Sequence, residues 1–464
     1  MRYVSTRGDA PVLDFDDVLL AGLARDGGLY LPERWPSFSK DQWRDMQGLS
    51  YQELAVEVML PFVEPSISRE ELVKIVEAAY STFDHPAIAP LKQLGPNHYV
   101  LELFHGPTLA FKDYALQLVG HLFSHVLTKK GARVTIVGAT SGDTGSAAIE
   151  ACRDREGIDI FILHPNGRVS DVQRHQMTTV HSPNVHNIAI EGDFDDCQDL
   201  VKGLFADEAF RDQVQLSAVN SINWARIMAQ VVYYAWASLN LGAPDRPLGF
   251  AVPTGNFGNI FAGWVARQMG LPIERLVIGT NRNDILARFE QTGTMSMTGV
   301  EASLSPSMDI QVSSNFERLL FELFERDGGR VSEWMQTFRE TGSAVLDDET
   351  MDTMRALFSS ARYDDEQTKA LIRAYHEETG ELFCPHSVIG AEAAKNDPKF
   401  GSMTFVSLAT AHPAKFPAAV EEASGVYPAL PARLADLMDR EERFDIMPND
   451  KKVLQKRIVE TLGR

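Results

Sequence analysis

An amine in apolar company, two glycine-rich turns and an arginine near the head of a helix are the features of this chain that could do chemistry together. In Phe104-His105-Gly106-Pro107-Thr108-Leu109-Ala110-Phe111-Lys112-Asp113-Tyr114, the lysine has Ala110, Phe111 and Tyr114 as neighbours. Partial desolvation of an ammonium lowers its pKa and makes the neutral, nucleophilic amine accessible for a Schiff base. Lys112 is therefore a candidate anchor for pyridoxal 5'-phosphate. The alternative is an amphipathic helix whose lysine snorkels to water.

The first turn, Gly138-Ala139-Thr140-Ser141-Gly142-Asp143-Thr144-Gly145-Ser146, follows an expected strand at 133–137 and precedes a small-residue helix at 147–152. In that arrangement free backbone N–H groups and a helix N-terminus face an anion. Its spacing, GxxxGxxG, is neither the dinucleotide fingerprint nor a Walker loop, and a plain strand-to-helix turn accounts for such a loop equally well in isolation. The second turn, Pro253-Thr254-Gly255-Asn256-Phe257-Gly258-Asn259, joins a strand at 248–252 to a helix at 260–269. Its glycines and asparagines allow positive φ and close approach, so consecutive amides can ring a phosphate. No lysine is supplied, which suits a permanently bound phosphate better than a hydrolysed one. Between the turns, Asn223 and Arg226 share one face at the start of a helix expected to run to about Leu239. There the dipole favours an anion and an arginine can fork onto it, although Ser221 or Asn223 could equally be an N-cap.

These groups need a scaffold, and the alternation of strands (158–163, 185–190, 273–279, 403–408) with helices predicts a doubly wound, mainly parallel α/β sheet. Ligands in such sheets bind beyond the carboxyl ends of strands, which places Thr410 near a cofactor ring. Lys415, two residues past Pro413 in Ala411-His412-Pro413-Ala414-Lys415, is the rival Schiff-base lysine; it reads more easily as an early residue of the next helix. Capping boxes at Ser50-Tyr51-Gln52-Glu53 and Ser68-Arg69-Glu70-Glu71 predict packing helices in a loop-rich N-terminal region. The expected division is 1–95 as that region, 96–240 as a smaller α/β domain and 241–464 as a larger one, with a helical insertion at about 281–380 and a solvated outer layer from Pro431 onward.

Composition narrows the partners. With 44% hydrophobic residues in 464, the chain can bury a large core in two or three domains. A formal charge of −20 repels nucleic acid and anionic membrane, so a small molecule is the expected partner, and any anionic one must be caught by local groups. Cys152, Cys197 and Cys384 are scattered, which argues against a metal cluster or disulfide framework and fits a reducing compartment. The first residues lack a signal-peptide core and no run approaches a membrane span, so the cytoplasm is expected.

Taken in order, Tyr3 with Ser5-Thr6-Arg7-Gly8, Asp26-Gly27-Gly28-Leu29-Tyr30-Leu31-Pro32-Glu33, His105-Gly106-Pro107-Thr108 with Phe111-Lys112-Asp113, Ser141-Gly142-Asp143-Thr144-Gly145, Gly255-Asn256-Phe257-Gly258-Asn259, Ser313-Ser314-Asn315-Phe316-Glu317-Arg318 and Thr410-Ala411-His412-Pro413 resemble the threonine synthases. The long insertion after Asn281 resembles that of the larger, fungal and bacterial subgroup. The resemblance implies a fold-type-II pyridoxal-phosphate lyase that converts O-phospho-L-homoserine and water to L-threonine and phosphate, the final step of threonine biosynthesis. By the same likeness Lys112 carries the Schiff base, Gly255, Asn256, Phe257, Gly258 and Asn259 hold the cofactor phosphate, and Thr410 meets the pyridine nitrogen. Ser141, Gly142, Asp143 and Thr144 would grip the substrate carboxylate. Asn223 and Arg226 are assigned to the substrate phosphate on electrostatic grounds. A monomer or homodimer with no metal is expected. Another fold-type-II lyase, such as a serine or threonine dehydratase, is the runner-up; a nicotinamide oxidoreductase lacks its GxGxxG here.

Overall fold

Strands whose residues are all buried need cover on both faces, and Leu248–Pro253 and Thr404–Ala409 are buried throughout. In the computed structural model, which describes residues 1–217 and 220–463, they lie at the centre of a six-stranded sheet. Its order is Phe358–Arg362, Ile273–Thr280, Leu248–Pro253, Thr404–Ala409, His98–Glu102 and Leu91–Gly95, parallel except for the last pair. A second, wholly parallel sheet runs Asp445–Pro448, Val185–Glu191, Ile158–Pro165, Val134–Ala139 and Leu216–Ser217. The doubly wound, mainly parallel architecture is as expected.

The sheets do not follow divisions at 96 and 241. His98–Glu102, expected to open the smaller domain, pairs with Thr404–Ala409 in the larger sheet. Asp445–Pro448, expected in a solvated outer layer, returns to the smaller sheet, and Leu454 and Ile458 of the final helix pack into that sheet's core. The insertion is largely helical, but Phe358–Arg362 within it is a strand on the edge of the larger sheet. Edge strands need only one paired side, so the half-polar sequence Phe358-Ser359-Ser360-Ala361-Arg362 gave no apolar signal.

Both predicted capping boxes form, Ser50 with Glu53 and Ser68 with Glu71, at the heads of Tyr51–Val63 and Arg69–Tyr80. Each N-cap contributes about 1 kcal/mol. The N-terminal region also holds a small antiparallel sheet of Arg2–Ser5, Leu13–Asp14 and Tyr30–Pro32. This sheet clamps the insertion. Arg7 and Thr6 bind Glu317 at 2.9 and 2.7 Å, and fully buried Arg318 donates to Tyr30 O (2.8 Å) and Ile222 O (2.7 Å). The main apolar core runs from these N-terminal helices through the Lys112–Lys130 and Trp224–Asn240 helices to the larger sheet.

Candidate active site

Lys112 is the first residue of the Lys112–Lys130 helix and is buried. Burial lowers its pKa to about 8, Asp143 pulls the other way, and the positive charges of Lys415 and Arg226 lower it further. A cation at a helix N-terminus is disfavoured in the same sense. The amine is thus desolvated as its neighbours predicted, not snorkelling. Its Nζ donates to Ser307 Oγ at 3.3 Å and lies 3.6 Å from Asp143 Oδ2.

Asp143 begins the Asp143–Cys152 helix and is enclosed by cations. Burial alone would raise its pKa, but Lys415 and Lys112 hold it well below the usual carboxylate range. Its Oδ1 lies 3.0 Å from Lys415 Nζ and accepts from Gln173 Nε2 at 2.8 Å, while Oδ2 accepts from Ser307 Oγ at 3.2 Å. The Asp143 side chain, expected in a grip on the substrate carboxylate, is engaged with the two lysines, and an ionised carboxylate repels another. Of the rest of that turn, Ser141 is exposed and Thr144 half-buried, and Gly142 N is taken by Thr140 Oγ1 at 3.0 Å.

The second turn approaches the lysine from the larger sheet. A Cβ built on Gly255 would lie 2.7 Å from the carbonyl of Ser307, the residue that touches Lys112. Phe257 holds φ at 62°, a left-handed conformation rare for a bulky residue and kept only where the surroundings enforce it. Its ring packs on Phe316 at 5.2 Å, and Gly258 opens the Gly258–Gln268 helix with no side-chain cap among the described residues. The N–H groups of residues 255–258 have no acceptor among the described residues, while the carbonyls are tied back: Ser313 Oγ donates to Gly255 O (2.6 Å) and Asn315 Nδ2 to Asn256 O (2.9 Å).

Among the buried donors that lack acceptors are those of two residues singled out in the sequence. Arg226 is 5% exposed, burial brings its pKa down to about 10, and its Nε and Nη1 have no hydrogen-bond partner among the described residues. Asn259 accepts from the Tyr233 and Tyr234 hydroxyls at 2.5 and 3.1 Å, which leaves its Nδ2 likewise unpartnered. Orphaned buried donors are costly and call for an explanation. Asn223 does not share this condition: it caps the helix through Ala225 N (3.0 Å) and donates to Leu19 O (2.8 Å), so the structure gives its amide a structural use at both ends. Thr410, 5% exposed, is fixed beside the lysine by Phe111 N donating to its carbonyl at 2.8 Å and by its own N–H on Ser387 Oγ at 2.9 Å. Sequence reasoning missed Ser307 and His386. Ser307 lies in a polar loop with no local signal, and His386, whose Nε2 accepts from Ser307 N at 3.3 Å, sits at the head of the Pro385–Lys395 helix.

The match to known families covers the whole site. Three family models align along the chain: threonine synthase N terminus over residues 2–80, pyridoxal-phosphate dependent enzyme over 83–382, and threonine synthase C-terminal over 387–458. A threonine synthase from Pseudomonas aeruginosa is 57% identical, covering 97% of this chain and 96% of its own. The chain belongs to the threonine synthase family. Among solved structures, the pyridoxal-phosphate-bound threonine synthase from Brucella melitensis superposes with a TM-score of 0.98 at 54% identity, covering 99% of both chains. The yeast threonine synthase does so at 0.94 with 38% identity, covering 100% of this chain and 99% of its own. This family membership makes the protein a pyridoxal-phosphate-dependent enzyme of fold type II. The residues present fit that group: a buried amine of lowered pKa, a turn with free amides where a Cβ would intrude, and an orphaned amide on Asn259. Among the described residues no group of His, Cys, Asp and Glu could hold a metal ion, and no helix is long and apolar enough to cross a membrane.

Proposed function

We propose that this threonine synthase family member converts O-phospho-L-homoserine and water to L-threonine and phosphate, in the cytoplasm, as a monomer or homodimer without nucleic-acid or membrane partners. The observation that carries the reading is the convergence of one desolvated lysine, one amide-lined turn and one unpartnered arginine whose charge is felt by that lysine. Two anion sites flank one amine, as a substrate and a cofactor that each carry a phosphate require.

In this reading Lys112 is the covalent attachment point, and Gly255, Asn256, Phe257, Gly258 and Asn259 hold the cofactor phosphate. Thr410 faces the ring nitrogen. When bound, the cofactor supplies an electrophilic carbonyl and a conjugated ring that takes up charge from the substrate α-carbon. Lys112, freed by the incoming substrate amine, removes the Cα proton and then a Cβ proton. Phosphate leaves from Cγ, its charge met by Arg226. Water adds at Cβ, and Lys112 returns protons at Cγ and Cα. The hydroxyls of Ser141 and Thr144, on the turn that Gly142 shapes, hold the substrate carboxylate, with Asp143 fixing the lysines and Asn223 fixing the helix that presents Arg226. A threonine hydroxyl at the ring nitrogen cannot hold it protonated as a carboxylate would, which limits side reactions.

Product analysis tests the substrate. O-phospho-L-homoserine should yield inorganic phosphate and threonine in equal amounts, and L-serine should be a poor substrate. A 2-oxo acid with ammonia from serine, and no phosphate from phosphohomoserine, would make it a dehydratase.

A further inference from the structure

Lys415 is fully buried, an expensive position for an ammonium unless it is paired. It closes the Pro413–Lys415 turn, its Nζ donates to Thr108 O at 2.8 Å, and it lies 3.0 Å from Asp143 Oδ1. Lys112 approaches the other oxygen of the same carboxylate at 3.6 Å, with Ser307 Oγ bridging the two. One negative charge therefore stands between two amines, and it is closer to the more deeply buried one.

We propose that Lys415 is a positioning residue that holds Asp143 as its own counter-charge, so that the Lys112 amine is left short of a full ionic partner. This rests on Lys112 being the attachment lysine. Its physical content is a competition. A buried lysine facing an undivided carboxylate is held as an ammonium and is a poor nucleophile, whereas one that shares the carboxylate with a nearer cation gives up its proton more easily.

Of the charged groups that face Lys112, two cations lower its pKa and one carboxylate raises it. From the Trp224–Asn240 helix Arg226 adds positive charge, and from the Pro413–Lys415 turn Lys415 does the same. From the Asp143–Cys152 helix comes the shared carboxylate. His386, on the Pro385–Lys395 helix, is brought to about 4 by burial and so is neutral at physiological pH. Asp113, the next residue on the lysine's own helix, is raised to about 6 by burial and is occupied by Thr108 N (2.8 Å) and Oγ1 (2.6 Å).

The test is competitive acetylation of the full-length protein, stripped of cofactor, with acetic anhydride from pH 6 to 11 and peptide mass spectrometry to follow Lys112. Lys415→Met should move the labelling midpoint of Lys112 up by about one pH unit, roughly tenfold less free amine at neutral pH. Lys415→Arg, which keeps the charge, should stay near the wild-type midpoint. Should Lys415→Met fail to fold, Lys415→Gln keeps a donor to Thr108 O without the charge and carries the same expectation. In the loaded enzyme the acidic limb of kcat/KM should move with the midpoint and be restored in Lys415→Arg. An unchanged Lys112 midpoint in a folded, uncharged variant overturns the proposal, as does an equal upward shift in Lys415→Arg. The labelling contains no cofactor, so failure here is distinct from Lys112 not being the attachment residue.

Discussion

The turn at 140–146 and the turn at 254–259 share one plan, strand, glycines and helix, yet they treat their backbone amides oppositely. In the first, Thr140 Oγ1 accepts from Gly142 N (3.0 Å) and Gly145 N (2.9 Å), so the loop satisfies itself and what it presents is the Asp143 carboxylate. In the second, Ser313 and Asn315 bind the carbonyls of Gly255 and Asn256, and the backbone N–H groups of residues 255–258 have no acceptor among the described residues. One turn presents a carboxylate to two lysines; the other leaves amides without acceptors among the described residues. A glycine-rich strand-to-helix turn is thus a scaffold whose sign is set by distant side chains.

That contrast can be broken at its most charged point first. Arg226→Ala should raise KM for O-phospho-L-homoserine roughly 10- to 150-fold, the worth of about 1.5–3 kcal/mol of charge-assisted hydrogen bonds. Cofactor affinity should be little changed, and the ligand-free protein should melt no lower, since an unpartnered buried charge is removed. Unaltered steady-state constants would sink its role. Gly255→Val is next. Its Cβ would meet backbone at Ser307 O, so cofactor affinity, read by absorbance titration, should fall by about tenfold to a hundredfold, a cost of about 1–3 kcal/mol. Thr140→Val probes the other turn and should show the reverse split. Two amides lose their acceptor, stability in urea falls by about 1–3 kcal/mol, and cofactor affinity stays within about twofold. If both variants changed affinity alike, the two turns would not differ as described.

A separate effect, away from both turns, is acid sensitivity. Burial depresses His98 and His386 from 6.5 to about 4. Between those values the unfolded chain binds protons that the folded chain refuses. Stability should therefore fall as pH drops through that window, by up to about 1.4 kcal/mol per unit for each histidine, and these two should add no further loss below about pH 4. Urea midpoints at pH 7 and 5 check this, and His98→Gln with His386→Gln should flatten the slope.

The site was legible in sequence where its chemistry is local. Lys112 among apolar neighbours, the amide-rich Gly255–Asn259 turn and the all-apolar central strands are contiguous features. What escaped comes from afar or from the edges. Ser307 and His386 reach the lysine from 195 residues and more down the chain, with no periodicity or motif to announce them. Strand Asp445–Pro448 carries a half-exposed Ile446 and takes its conformation from pairing with Val185–Glu191 rather than from its own pattern. Asp143 was expected to face a substrate carboxylate and its side chain engages two lysines, because the sign of a carboxylate's surroundings depends on charges that only folding brings near. Asn223 shows the same limit: its helix-cap bond, an ordinary one, is the use the structure gives it.

The central claim is that one buried amine, Lys112, carries the cofactor against the open turn. Reducing the loaded protein with borohydride, digesting it and locating the pyridoxyl group by mass spectrometry tests this directly. The modification should fall on Lys112 alone; finding it on Lys415 would contradict the account.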